Sequence, residues 1–235
     1  MATFKTYLEL CRVSNLPTVW TNVLAAGLLC GADLTPPLYL LLAVALSCFY
    51  MAGMSLNDVC DLDIDRRERP SRPLPSGRMT LPRASTVTIG LFATGLGLLA
   101  LAPHPRAVAA GLLLLLAIVV YDCRHKQNPW SVLVMAACRF LVFVVTAAAL
   151  VGQVNAWVLM AGGIQFGYVV LISLVARHEN SRGRPFPFPV IPAMLAGISL
   201  VDGLLLAAFI AIPWALASMA GALLTWVAQR HIRGD

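Results

Sequence analysis

Residues 57–65 read Asn-Asp-Val-Cys-Asp-Leu-Asp-Ile-Asp, directly after the apolar run Pro37 to Leu56, PLYLLLAVALSCFYMAGMSL. About 20 apolar residues rising 1.5 Å each match the roughly 30 Å of a bilayer's hydrocarbon core. Acids crowded at the end of such a run are either a solvated helix end or a cluster of hard oxygen ligands at a membrane surface. Both readings put the preceding run in lipid.

The rest of the chain agrees. Its 235 residues are 59% hydrophobic and only 12% charged, with a mean hydropathy of +0.80, too apolar for a water-soluble domain of this size. Further apolar runs lie near Leu16 to Ala32, Leu81 to Ala102, Arg106 to Tyr121, Trp130 to Val151, Ala156 to Ala176, Pro189 to Ile210 and Pro213 to Ala228. The expected fold is all-α: a multi-pass membrane bundle of eight transmembrane helices, forming one domain over residues 1–235. Pro103-His-Pro105, Gly152-Gln-Val-Asn155 and Ile212-Pro213 mark its short outer turns.

With eight spans, every one of the 17 Lys and Arg residues except Arg106 and Arg139 falls on one face. Short cytoplasmic loops are enriched in these residues, so that face and both termini are expected in the cytoplasm, as for a protein of the cell's inner membrane. The formal charge of +6 then reflects this bias and attraction to anionic lipid, not nucleic-acid binding. No CxxC pair occurs among the six cysteines, which read as small apolar residues. Glu9 and Arg12 interrupt any signal-peptide pattern at the start, and no A-x-A site follows.

On a helix continuing the second run, Asn57, Asp61 and Asp65 recur every fourth residue and Asp58 lies three before Asp61, so all four share a face. Like charges so placed repel unless a cation or donors stand opposite. Hard oxygens on one face suit Mg²⁺, which is held by one or two carboxylates plus substrate phosphates. The alternative is a solvated end whose acids pair with Arg66, Arg67 and Arg69. Asp63 and Glu68 are expected to point away.

The pattern Asn57-Asp58-x-x-Asp61-x-x-x-Asp65, followed by the Arg-rich Asp65 to Gly77 segment, resembles the first aspartate-rich motif of the UbiA superfamily of intramembrane prenyltransferases. Asn22, Tyr121 and Lys126 extend the likeness over most of the chain. Cys138-Arg139 and Ala176-Arg177-His178-Glu179 most resemble a short EboC-like subgroup. The resemblance implies a helical bundle around a central cavity, in which acidic motifs hold Mg²⁺ and a polyprenyl diphosphate near the membrane surface. The implied enzyme is a prenyltransferase that ionises the diphosphate and passes the prenyl group to a small aromatic or other polar acceptor.

On that reading Asp58, Asp61, Tyr121, Lys126 and Glu179 are catalytic. Asn57, Asp58, Asp61, Asp65 and Glu179 are metal ligands, while Asn22, Asn57, Arg72, Lys126, Arg139, Arg177, His178 and Asp202 bind substrate. Arg72, Lys126 and Arg177 are the cations available to a departing diphosphate, where charge grows in the transition state. The chain departs from the family pattern where a second aspartate motif belongs: Glu179 is the sole acid there, with His178 and Asn180 beside it. His178 is alternatively a general base or an ordinary interfacial residue.

Two ionisable residues fall inside spans, where charge is expensive and marks function. Arg139 and Asp202 are expected to pair with one another, or else to touch the acceptor. Gln165 and Tyr168 are lesser cavity candidates. The competing functions are a terpene cyclase, which captures the carbocation within the same chain, and a transporter or lipid binder that breaks no bond.

Overall fold

The computed structural model describes residues 3–124, 130–181 and 186–232. Among these the regular structure is helical throughout. A short helix α1 (Phe4–Leu10) leads through a 3₁₀ turn (Val13–Asn15) into α2 (Leu16–Leu29). Then follow α3 (Pro36–Cys60), the short α4 (Leu62–Glu68), α5 (Leu81–Leu99) and α6 (Arg106–Arg124). The second half holds α7 (Ser131–Val151), α8 (Ala156–Ser181), α9 (Val190–Phe209) and α10 (Pro213–Gln229).

Each apolar run read from the sequence corresponds to one long helix, and four of them carry proline in the first turn, where its missing N–H is harmless. Asn155 starts α8 by accepting the N–H of Val158 at 2.9 Å, while its amide donates to the Leu29 carbonyl at 3.0 Å and ties the turn to the end of α2.

Among the described residues five helices, α3, α6, α7, α8 and α9, are long and apolar enough to cross a membrane. The run from Leu16 to Ala32 forms a shorter helix than expected. Helix α2 has 14 residues and ends at Leu29, before Gly31 turns the chain with φ +77°. It packs against α3, α7, α8, α9 and α10, and Trp20 is its one exposed residue.

Around α2 the order of contact runs α5, α3, α6, α7, α8, α9, α10. Backbones approach closely where side chains are small. At Gly95 an added Cβ would sit 2.9 Å from the Phe49 ring and 3.1 Å from the Ala45 carbonyl, so glycine is what lets α5 lie on α3. The outer faces of the later helices expose Leu112, Leu116, Leu204, Leu216 and Leu223, as expected of surfaces solvated by lipid chains.

A second, smaller apolar cluster gathers Leu10, Leu74, Met79 and Ala84 with Tyr7, Val59 and Leu62. It pins the segment 69–80 beneath α1, where Arg78 also donates to Glu9 and to the Ser71 carbonyl. This cluster fixes the position of Arg72.

Candidate active site at the mouth of an apolar cavity

Helix α3 does not continue unbroken through the acidic stretch, as the sequence spacing suggests. It ends at Cys60, and Asp61 forms the joint with α4 at φ −94° and ψ 2°. The joint is tight: the Asp61 N–H donates to the Asn57 carbonyl and the Asp65 N–H to the Asp61 carbonyl, both at 2.9 Å. The shared face survives the break. Asp58, Asp61 and Asp65 are all buried, whereas Asp63 and Glu68 are exposed.

Three carboxylates drawn out of water need counter-charge. It comes from neither Arg67 nor Arg69, and Arg66 pairs at the surface with Asp63 at 2.9 Å. Arg72 bridges the cluster instead, donating Nη1 to Asp65 Oδ2 at 2.7 Å and to Asp58 Oδ1 at 3.2 Å. Arg12 Nη2 reaches the same Asp58 oxygen at 3.0 Å, and its Nη1 meets Met54 Sδ at 3.1 Å.

Arg12 escaped the sequence reading. It holds φ +44°, the one left-handed non-glycine residue among those described, a conformation that costs about 1–2 kcal/mol. That strain turns the chain from α1 toward α2 and directs a basic side chain under the acids. Its place immediately before the first long apolar run was the available signal.

Beside the acids opens a cavity of about 270 Å³, lined by Arg12, which holds Asp58, and by Asn57, the residue before it. Its rim carries Arg12, Asn57, Tyr121 and Asp122, and Asn57 Nδ2 donates to Asp122 Oδ1 at 3.3 Å. Below lie Gly53, Tyr50, Phe49 and Leu46 on α3, Ile118 and Leu114 on α6, and Cys138, Arg139 and Val142 on α7. From Asn57 to Leu46 the helix rises roughly 16 Å, so the cavity reaches about halfway through a bilayer. The arrangement joins a charged, hydrogen-bonding rim to an apolar shaft, which suits an amphiphile with an anionic head.

The donors at the rim fit Mg²⁺ in its usual mode, as one or two carboxylates completed by water and phosphate oxygens. Among the described residues no three acidic, His or Cys side chains converge as a ready-made ion cage. Glu179 in particular is engaged elsewhere: its Oε1 accepts the Phe186 N–H at 2.8 Å, closing the chain at the end of α8. His178 and Arg177 are exposed on the same helix end, with the His178 ring facing Phe186 at 6.5 Å. Lys126 lies outside the described residues.

Arg139 and Asp202 do not pair directly. Asn22 stands between them, accepting from Arg139 Nη1 at 2.8 Å and donating to Asp202 Oδ2 at 2.7 Å. Asp202 Oδ1 accepts from Gln165 at 2.8 Å, and Arg139 Nη2 reaches Thr18 at 3.3 Å. Asn22, Gln165 and Asp202 are fully buried and off the cavity wall, whereas Arg139 lines it. Tyr168 donates to the Met194 carbonyl at 3.0 Å.

Comparison with known proteins places this geometry in context. The model of the UbiA prenyltransferase family matches residues 16–235. A digeranylgeranylglyceryl phosphate synthase from Methanoculleus marisnigri is 32% identical over 123 residues, 52% of this chain and 43% of that protein. The synthase of Sulfurisphaera tokodaii is 34% identical over 125 residues, 53% of this chain and 45% of that one. The matched stretch thus spans less than half the length of these curated relatives. Among solved structures, a UbiA homologue from Archaeoglobus fulgidus bound to DMAPP and Mg²⁺ superposes with a TM-score of 0.62 at 17% identity, covering 98% of this chain and 89% of that one. A structure reported for digeranylgeranylglyceryl phosphate synthase in membranes gives 0.63 at 23% identity, covering 96% and 86%. At these identities the likeness is one of fold.

Proposed function

Because the chain belongs to the UbiA prenyltransferase family, we propose that it moves a prenyl group from a polyprenyl diphosphate to a small acceptor, at the cytoplasmic side of the membrane. The observation that carries this reading is the burial of Asp58 and Asp65 against Arg12 and Arg72, with Asp61 buried in the same stretch, next to an apolar shaft that Arg12 and Asn57 line. All eight long helices are taken to cross the bilayer, the shorter ones sheltered by their neighbours. The paired Cys138-Arg139 and Ala176 to Glu179 stretches favour the short EboC-like subgroup.

Asn57, Asp58, Asp61 and Asp65 would hold Mg²⁺, which when bound supplies positive charge to the diphosphate oxygens. Glu179 would join only if the 186 loop released it. Arg12, which lines the cavity, and Arg72, which shares Asp58 with it, carry N–H groups fitted to phosphate as well as to carboxylate, and would follow the diphosphate as the carbon–oxygen bond breaks. Arg177, exposed at the end of α8, would add to this basic surface, and Lys126 is a further candidate cation by its place in the sequence alone. The prenyl tail lies in the shaft, where Phe49, Leu46, Leu114 and Ile118 exclude water from the allylic cation. Tyr121 presents its ring to that cation. The acceptor bonds to the cationic carbon and sheds a proton.

The decisive experiment measures diphosphate release by the protein in lipid vesicles, with geranyl, farnesyl and geranylgeranyl diphosphates, with and without Mg²⁺, followed by mass spectrometry of the products. Release that requires both metal and an added acceptor is expected. Metal-dependent release without acceptor, giving a ring, would identify a cyclase. No release under any condition would leave a binder or transporter.

A further inference from the structure

Of the six cysteines, Cys60 and Cys123 are the exposed ones; Cys11, Cys30 and Cys48 are buried and Cys138 is half-buried. Cys60 is the last residue of α3 and Cys123 the next to last of α6, so both stand where these helices end at the rim.

The contacts between α3 and α6 fix their register, and both helices run toward the rim. An added Cβ at Gly53 would sit 3.1 Å from Ile118 Cγ2, and one turn further on Asn57 Nδ2 donates to Asp122 Oδ1 at 3.3 Å. Cys60 follows Asn57 by three residues and Cys123 adjoins Asp122, and the two side chains meet across the gap. The close approach at Gly53 brings the helices toward the Cα separation of about 4.4–6.8 Å that a disulfide requires. Packing explains a buried cysteine, which acts as a small apolar residue, but not two exposed thiols in contact. On the cytoplasmic side, where the proposed orientation puts the rim, disulfides are transient and redox-sensing.

A bond at this place acts on the site itself. Asn57 is tied across the rim to Asp122, and its amide can turn to a metal-bound diphosphate only if that hydrogen bond opens. A disulfide just beyond it would hold α3 to α6 and oppose the opening. Cys60 also precedes Asp61, the joint between α3 and α4, so linking it restrains the position where the acidic stretch bends.

We propose that Cys60 and Cys123 form a redox site for low-molecular-weight disulfides of the glutathione class, whose product, a Cys60–Cys123 disulfide, clamps the rim and weakens binding of the prenyl diphosphate. The effect on the donor rests on the prenyl-transfer reading; the disulfide does not. In the first exchange one protein thiol attacks the small disulfide, forming a mixed disulfide and releasing one small thiol. The second protein thiol then displaces the other. Two protein thiols are oxidised as one small disulfide is reduced to two thiols, which also take the two protons.

The test uses the full chain in lipid nanodiscs, equilibrated with oxidised and reduced glutathione at varied ratios, then alkylated and mapped by mass spectrometry. The wild type is expected to yield peptides joined through Cys60 and Cys123, separated again by dithiothreitol. Cys60→Ser and Cys123→Ser should each yield none. Calorimetry with geranyl diphosphate and Mg²⁺ follows on the same samples. Oxidation is expected to weaken binding by the wild type about tenfold and to leave the double variant Cys60→Ser, Cys123→Ser unchanged. Thiols that stay free at the most oxidising ratio, or that only take up glutathione singly, overturn the site. An oxidised wild type that binds as tightly as the reduced one overturns the clamp. A reduced wild type that binds no donor counts against the prenyl-transfer reading alone, since the joined peptides are read without it.

Discussion

At the scale of single residues, the acidic positions divide by what each side chain supports. Asp58 is shared by two guanidiniums, at 3.0 and 3.2 Å, and all three side chains are nearly or largely buried. Removing one partner of such a pair leaves uncompensated charge and costs about 3–5 kcal/mol. Asp61 differs, because the helix joint is closed by its backbone and its side chain makes no capping bond. Asp61→Ala is therefore expected to lower diphosphate release by about a hundredfold or more with an unchanged melting temperature. Asp58→Ala should lose activity and melt several degrees lower; differential scanning fluorimetry beside the release assay separates the two. The sequence spacing already grouped these acids on one face, since periodicity survives a local break. It could not disclose that Arg12 and Arg72 rather than Arg66, Arg67 and Arg69 meet them, because such partners are chosen by the tertiary fold. Asn22 between Arg139 and Asp202 was hidden for the same reason.

At the scale of elements, the long helices were legible because length and hydrophobicity alone decide them. The expected starts at Leu81, Arg106, Ala156 and Pro213 coincide with those observed. The short α1 and α4 were not legible, since seven residues carry too little periodicity and owe their form to packing. Their contribution is to position Arg72 through the cluster of Leu10, Leu74 and Met79. Leu74 is 6% exposed, and Leu74→Ala should remove about 2–3 kcal/mol of local packing. The expected result is a severalfold higher KM for the prenyl diphosphate with a smaller change in kcat, because the segment carrying Arg72 loosens. The same truncation at Leu204, which is 72% exposed on α9, should leave both constants alone.

At the scale of the whole molecule, the carboxylate rim and the turns around His104 and Gly152 mark opposite ends of the bundle. Arg106 donates to the Gly152 carbonyl there, which accounts for the one basic residue set apart from the others. Cys60 and Cys123 are exposed at the rim end, and Gln153 is exposed at the other. A membrane-impermeant maleimide should label a Gln153→Cys variant in intact cells, and Cys123 only in inverted vesicles. Cys11 should stay unlabelled at pH 7 in both, since burial, with the Asp58 charge adding, pushes its thiol up to about 11. Labelling of Gln153→Cys from the cytoplasmic side alone would reverse the proposed orientation.

The enclosure of α2 has a consequence in time. A helix of 14 residues rises only about 21 Å, too little to cross roughly 30 Å of hydrocarbon by itself. Its hydrogen-bonding side chains, Thr18, Thr21 and Asn22, find their partners on α7 and α9. During synthesis those partners emerge well over a hundred residues later. The segment must wait, held loosely at the bilayer or by the insertion machinery, until the last third of the chain closes over it. Maturation of this protein is thus a ring-closure event, and quality control in the cell would act on the interval before it.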